Sequence, residues 1–328
     1  MSVAVQGCGW VTPLGRDLQG VWTALKNGIS APVSELKNPF TGTPHAVRRV
    51  DEQFFSDTAR QPRLRRSSAI SHMAVAAAMD ACRDADHTAG NDRLALLFAT
   101  TNGGVIYTRR FFADVAERGA HSGSPLLFPE TVYNAPASHV AAALGIAGTV
   151  STMVNDATAG IDAVAAAIEL LESDACDRCL VVAAEEADWI ICDGYATWNY
   201  RPVIFSEGAG ALLLGRDGDV RIDCPPTCRT YRTIPDGRRA MKDVVARLCG
   251  DRTPDLLISP ASGTRFDGIV SELPGHLLQP GQALGEAFAA STVFQLICGV
   301  LARRETPGLS LVPVVGLHGQ LSAATITR

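Results

Sequence analysis

The chain has no excess of basic charge: 29 Lys and Arg stand against 34 Asp and Glu among 328 residues, a formal charge of −5. A global cationic surface for nucleic acid or an anionic membrane is thereby excluded. Only local clusters remain, Arg48 and Arg49 and the triplet Arg63, Arg65 and Arg66, which could meet an acidic partner but which a solvated surface explains more simply. No apolar run approaches the roughly 18 residues that span a bilayer, and no basic leader precedes an apolar segment, which points to a soluble cytoplasmic protein. Nine cysteines are too dilute for a disulfide framework, and their odd number leaves at least one unpaired, so reduced thiols are expected. Cys176 with Cys179 and Cys224 with Cys228 have ligand-like spacing. The first pair joins a helix end to an apolar strand, the second encloses Pro225 and Pro226, and the histidines form no metal-binding helix face, so neither metal nor cofactor is expected.

What is present is a 47% apolar composition, enough for a substantial core in one large domain or two closely packed halves. Val3–Val5 starts a strand, Gly7, Gly9, Pro13 and Gly15 punctuate a turn, and Leu18–Leu25 follows as a short helix. Ser67–Ala85 has a helical composition, and Leu94–Ala99 and Cys179–Ala184 are buried strands. Ile161, Val164, Ala165, Ile168 and Leu171 make a helical stripe between them. After a seam around residues 215–237, Arg238–Leu248 is predicted as a helix, Leu256–Ile258 as a strand, Ala283–Leu301 as one long helix, and Leu309–Val315 and Ser322–Ile326 as closing strands. Buried strands alternating with helices predict an α/β fold with helices layered on sheet, an N-terminal half of about 1–220 and a C-terminal half of about 230–328.

The segment Ser151–Gly160 lies between an apolar run and a helix with a clean apolar face, where a reactive side chain belongs, yet it contains no thiol. Several ordered motifs give that gap a meaning. They are Gly7–Gly15 (GCGWVTPLG), Trp22–Gly28, Phe128–Ala137 (FPETVYNAPA), Glu185 at the end of its strand, Ser206–Gly210 (SEGAG), Gly281–Gly285 (GQALG) and Gly316–Gly319 (GLHG). Together they resemble the β-ketoacyl synthase family of the thiolase superfamily over nearly the whole chain. The resemblance implies a thiolase-like fold with duplicated halves in αβαβα layers.

Active members of that family use a cysteine nucleophile and two histidines, the thiolate carrying the acyl group while imidazoles hold the thioester oxygen. Matched motif by motif, this sequence has Ala157 for the cysteine, with Asp156 as the neighbour if the turn is shifted. It has Pro260, followed by Ala261 and Ser262, for one histidine and Gln282 for the other. Alanine forms no thioester, proline donates no side-chain proton, and glutamine donates a hydrogen bond without exchanging a proton near neutral pH. His276 is a displaced donor or an ordinary histidine. Leu317 and His318 occupy the family's gating turn, with His318 either facing a cavity or packing locally.

The implied role is a noncatalytic chain-length-factor subunit of a type II polyketide or polyene synthase. Such a subunit pairs with an active ketosynthase as a heterodimer that receives an acyl-carrier protein. The interface region is residues 111–136, with Phe112, Phe128, Thr131, Tyr133 and Asn134 as tunnel or interface residues. Phe112, Phe128 and Tyr133 would act as apolar stops for a chain whose burial gains about 0.8 kcal/mol per CH₂; ordinary core packing is the alternative for these aromatics. The segments 185–206 and 216–235 are shorter than in active relatives, which favours a linear polyene product. Two other readings remain: an acyltransferase or decarboxylase using Asp156, Gln282 and His318, and a carrier-binding scaffold using Arg63–Arg66.

Overall fold

The computed structural model describes residues 2–62, 64–87, 93–197, 203–260 and 263–328. Its first five long strands are β1 (Val3–Val11), β2 (Leu94–Thr100), β3 (Val150–Val154), β4 (Arg178–Glu185) and β5 (Gly208–Gly215). Side by side they run β3-β2-β4-β5-β1, with β5 antiparallel to both neighbours and the β4-β2-β3 pairings parallel. The next five are β6 (Arg221–Asp223), β7 (Leu256–Ile258), β8 (His276–Leu278), β9 (Leu309–Val315) and β10 (Gln320–Thr327). They follow the corresponding path, β8-β7-β9-β10-β6, with the corresponding orientations. A two-residue antiparallel contact between β1 and β6 joins the two sets of strands into one 11-stranded sheet, completed by Arg229–Thr230 on β10.

Central strands without polar alternation are explained by burial on both faces. In β2, Leu94, Leu96 and Phe98 enter one core and Ala95, Leu97 and Ala99 the other. Helices α1 (Leu18–Lys26) and α2 (Ala69–Asp84) follow β1, with α2 lying across β1, β5 and β4. The predicted turn at Gly7 and Gly9 is instead strand. Both glycines lie within β1 because α2 packs against them: a Cβ on Gly7 would stand 2.2 Å from the Ala81 carbonyl oxygen, and one on Gly9 would stand 2.5 Å from that of Ala77.

Helix α3 (Val105–Arg118) has no buried residue, whereas α4 (Ala135–Leu144) packs on α2 and the β2–β3 side. Helix α5 (Ala159–Glu172) covers the opposite face of β4 and β2; α6 (Trp189–Ala196) follows β4, and α7 (Ile234–Cys249) covers β10.

The predicted Ala283–Leu301 helix is divided into α8 (Pro280–Leu284) and α9 (Phe288–Glu305). Gly285, at φ +84°, turns the chain where a Cβ would lie 2.9 Å from both the Ile204 oxygen and the Ser206 Cβ. The Glu286 carboxylate accepts the Phe288 N–H at 2.6 Å, and Phe288 itself sits at φ +47°. Helix α9 is buried from Phe288 through Arg303 and touches α5 and strands of both halves, including β5, β4, β9 and β10. Among the described residues, no helix is long and apolar enough to cross a membrane.

Candidate functional site

Strand β3 ends at Val154 and α5 begins at Ala159, so the four residues between, Asn155, Asp156, Ala157 and Thr158, form the strand-to-helix corner. Ala157 is buried, and its carbonyl accepts the Thr292 hydroxyl from α9 at 2.5 Å. The Thr158 hydroxyl donates to Gln320 at 2.8 Å. The corner is thus fixed from both the central helix and the closing hairpin.

Asp156 is 1% exposed and does not cap the helix with its side chain, as a carboxylate at a helix start commonly does. Its Oδ1 accepts the Ala157 N–H at 2.8 Å and the Leu317 N–H at 2.9 Å, while Oδ2 accepts the His318 N–H at 2.7 Å. Leu317 and His318 lie in the turn between β9 and β10. Gly316 has no room for a side chain beside this carboxylate: its Cβ would fall 2.0 Å from Oδ2.

His318 Nδ1 is 3.7 Å from Asp156 Oδ1, and its Nε2 is 3.0 Å from the Tyr195 hydroxyl, with the two rings stacked at a centroid distance of 5.5 Å. Tyr195 donates to Asn102 Oδ1 at 3.5 Å, and burial raises its hydroxyl above the usual phenol range. Asn102 N–H in turn donates to Glu185 at 3.1 Å; the Thr101 N–H and Thr100 hydroxyl reach the same carboxyl. Full burial pushes Glu185 up to about 7 against these hydrogen bonds, which lower it. A pocket of about 190 Å³, lined by Ile190, Ile191, Gly194, Tyr195 and His318, opens beside the imidazole. His318 therefore faces a cavity and is also locally packed.

The other candidate positions do not all join this centre. Gln282 is exposed on α8, and its amide donates to Gln279 Oε1 at 3.0 Å. His276 is exposed on β8. Pro260 is buried after β7; Ala261 and Ser262 lie outside the described residues, as do Arg63 and the 198–202 part of the shortened segment after Glu185. Leu317 is partly buried against a small cluster containing Val47, Cys192, Tyr195, Phe205 and Phe288.

Phe112, Phe128 and Tyr133 are 60%, 55% and 49% exposed, so core packing is not their role in this chain. Phe111 joins Phe112 and Phe128 into a surface aromatic group, at centroid distances of 5.5 Å to each. Tyr133 instead lies across Gly103, whose Cβ would stand 2.6 Å from its ring, next to the Asn102 end of the hydrogen-bonded chain. The Thr131 hydroxyl donates to the Phe128 carbonyl at 2.8 Å, and Asn134 is exposed at the start of α4, its carbonyl accepting from Ser138.

Arg48 and Arg49 do not form a free basic patch. Arg48 is buried and donates to the Gln282 carbonyl at 3.1 Å, while Arg49 pairs with buried Glu207 at 3.2 Å; Arg65 and Arg66 are exposed. None of the nine cysteines is in a disulfide; Cys228 donates to Asp162 at 2.9 Å. No group of three or more metal-ligating side chains occurs among the described residues.

The sequence offered Asp156 as the neighbour of Ala157 if the turn is shifted, but it carried no sign that Thr292 holds the Ala157 carbonyl or that Tyr195 and Asn102 continue the contacts from His318.

Residues 1–199 match the model of the β-ketoacyl synthase N-terminal domain. A 3-oxoacyl-(acyl-carrier-protein) synthase 2 of Synechocystis is 28% identical over 181 residues, covering 52% of this chain and 42% of that protein. The match thus spans less than half the length of that relative. The ishigamide ketosynthase/chain length factor superposes with a TM-score of 0.83 at 17% identity, covering 100% of this chain and 99% of that one. A β-ketoacyl synthase from Burkholderia phymatum gives 0.80 at 16% identity, with 99% of each chain covered. A type II PKS acyl-carrier protein in complex with its ketosynthase bound to the hexaketide gives 0.78 at 17% identity, with 99% of each chain covered. The same mixed α/β architecture is shared with these solved structures over the full chain, and the family match over its first 199 residues places this protein in the β-ketoacyl synthase family.

Proposed function

We propose that this chain is a noncatalytic, chain-length-factor-like subunit that pairs with an active ketosynthase and helps shape the tunnel for its growing acyl chain. The observation that carries the reading is the position of Ala157: a corner built like a nucleophile site, with a methyl group where chemistry requires a thiolate, at the end of an uncovered edge strand. Among the described residues β3 pairs on one side only, and Val150 and Val154 are exposed. A bare edge with apolar side chains is a template for another chain. The exposed aromatics Phe112, Phe128 and Tyr133, with Leu126 and Val132, extend the same apolar character around α3.

In this reading Phe112 and Phe128 meet the partner, and Tyr133, lying between that surface and the Tyr195–His318 pair, limits the tunnel. Thr131 and Asn134 anchor the segment. An open groove of about 600 Å³ lined by Arg66, Tyr107, Arg110 and Leu126 offers cations to an acidic carrier protein docked on the complex. A linear polyene is the favoured product. We also read the matching strand paths, with α2 and α4 outside, α5 and α9 between and α7 on the far side, as a thiolase-like duplication in αβαβα layers. Its halves are about 1–220 and 230–328.

The enzyme alternative needs Asp156 as a free nucleophile, and its two oxygens already accept three backbone N–H groups. The deciding experiment is co-expression with an active type II ketosynthase, followed by size-exclusion chromatography and acyl loading from a carrier protein. A mixed dimer acylated on the partner alone is expected. Turnover by this chain alone, or an unpaired chain in the partner's presence, would overturn the reading.

A further inference from the structure

Two backbone donors from distant parts of the sequence converge on one oxygen. The Ala157 N–H, at the start of α5, and the Leu317 N–H, in the β9–β10 turn, meet Asp156 Oδ1 at 2.8 and 2.9 Å. Paired backbone donors 2.7–3.1 Å from a negatively charged oxygen are the arrangement that stabilises the oxyanion of a tetrahedral acyl-transfer intermediate. Here the oxygen belongs to the protein. We propose that Asp156 is a built-in occupant of an oxyanion site, holding the donors that an acyl carbonyl would need.

A local turn accounts for the bond to Ala157, the next residue, but not for Leu317, which comes from the other half of the chain. The fit is also tight. Asp156 is almost wholly buried, a third N–H from His318 holds its second oxygen at 2.7 Å, and Gly316 leaves the carboxylate room that no other residue type would leave. The apolar pocket beside His318 and Tyr195 adjoins this point, so an acyl tail would have space while its carbonyl would find its donors taken. Loss of the thiol and occupation of the donors are then two separate blocks to acylation.

The inference rests on reading Ala157 as the emptied nucleophile position. Its test compares Ala157→Cys with Asp156→Ala/Ala157→Cys in the full-length chain, using hexanoyl-N-acetylcysteamine and intact-protein mass spectrometry. In the reaction the introduced thiolate forms a C–S bond to the acyl carbon. N-acetylcysteamine leaves with its electron pair and takes up the proton the protein thiol has lost. The double variant is expected to acylate at least about tenfold faster, and excess sodium formate, but not sodium chloride of equal ionic strength, should slow it by refilling the donors. Equal rates, or rates indifferent to formate, would overturn the proposal. If Asp156→Ala does not fold, Asp156→Ser, too short to reach Leu317, is read in the same way. Size-exclusion with the ketosynthase is run on the same variants. Pairing with equal acylation rates sinks the occupied site alone, and faster acylation without pairing sinks the partner reading alone.

Discussion

Gly316 and Asp156 constrain each other, because the space a Cβ would take at one is filled by the carboxylate of the other. Gly316→Ala is expected to destabilise the chain by about 1–3 kcal/mol, the usual cost of forcing an atom into a filled site, measured by urea denaturation. An unchanged midpoint would mean that the turn moves freely. Glu186 gives a second test. Burial, reinforced by the charges of Glu207 and Asp188, pushes it from 4.5 up to about 8, while the N–H groups of Ile106 and Ile70 lower it, and its Oε2 has no hydrogen-bond partner. The folded state therefore keeps this proton while the unfolded state loses it, and stability falls as pH rises from about 4.5 to about 8. Glu186→Gln should match the native melting temperature near pH 4.5 and exceed it at pH 8. A parallel pair of pH curves would contradict the assignment. At this scale the sequence offered Ala157 for the nucleophile position through its resemblance, since a missing thiol is a local fact. It did not reveal that Asp156 reaches Leu317 and His318, because a contact across 161 residues has no local signature.

Helices and strands were legible where their side chains report burial directly. The runs at β2 and β4 and the stripe on α5 read correctly because both sheet faces and one helix face are packed. Gly7 and Gly9 misled because glycine marks two different things, a turn or a close approach, and only the neighbouring helix decides between them. The α8–α9 break was hidden for a related reason: Gly285 gives no local sign of its φ of +84°, while the turn is held by a buried carboxyl and by packing of Phe288 against Tyr195 at 4.7 Å. Phe288→Ala is expected to cost about 3–5 kcal/mol by emptying that aromatic site, read as a lowered denaturation midpoint. Strand β3 carries a different prediction. Val154 is 48% exposed at the bare edge, so Val154→Lys should leave the isolated chain's melting temperature within about 1–2 °C while abolishing co-elution with the ketosynthase. Retained co-elution would move the pairing surface away from β3.

For the whole molecule, alternation of buried strands and helices announced an α/β class, whereas the order β3-β2-β4-β5-β1 and its counterpart in the second half depend on pairings between distant segments. No periodicity records such an order. In a reconstituted synthase, Phe112→Ala and Phe128→Ala should weaken assembly, whereas Tyr133→Ala should lengthen the product without loss of the dimer. Chromatography and product mass spectrometry separate these outcomes, and an unaltered product from Tyr133→Ala would remove it from the tunnel. Helix α9 has a consequence in time as well as in space. It comes after residue 287, yet it fills the core against β4 and β5 as well as β9 and β10. A ribosome must therefore make everything through residue 287 before β5 receives the helix that covers the face α5 does not reach. Until then Leu212 and Leu214 on β5 stay open to water. The nascent chain up to α9 is therefore expected to carry exposed apolar surface of the kind that draws chaperones.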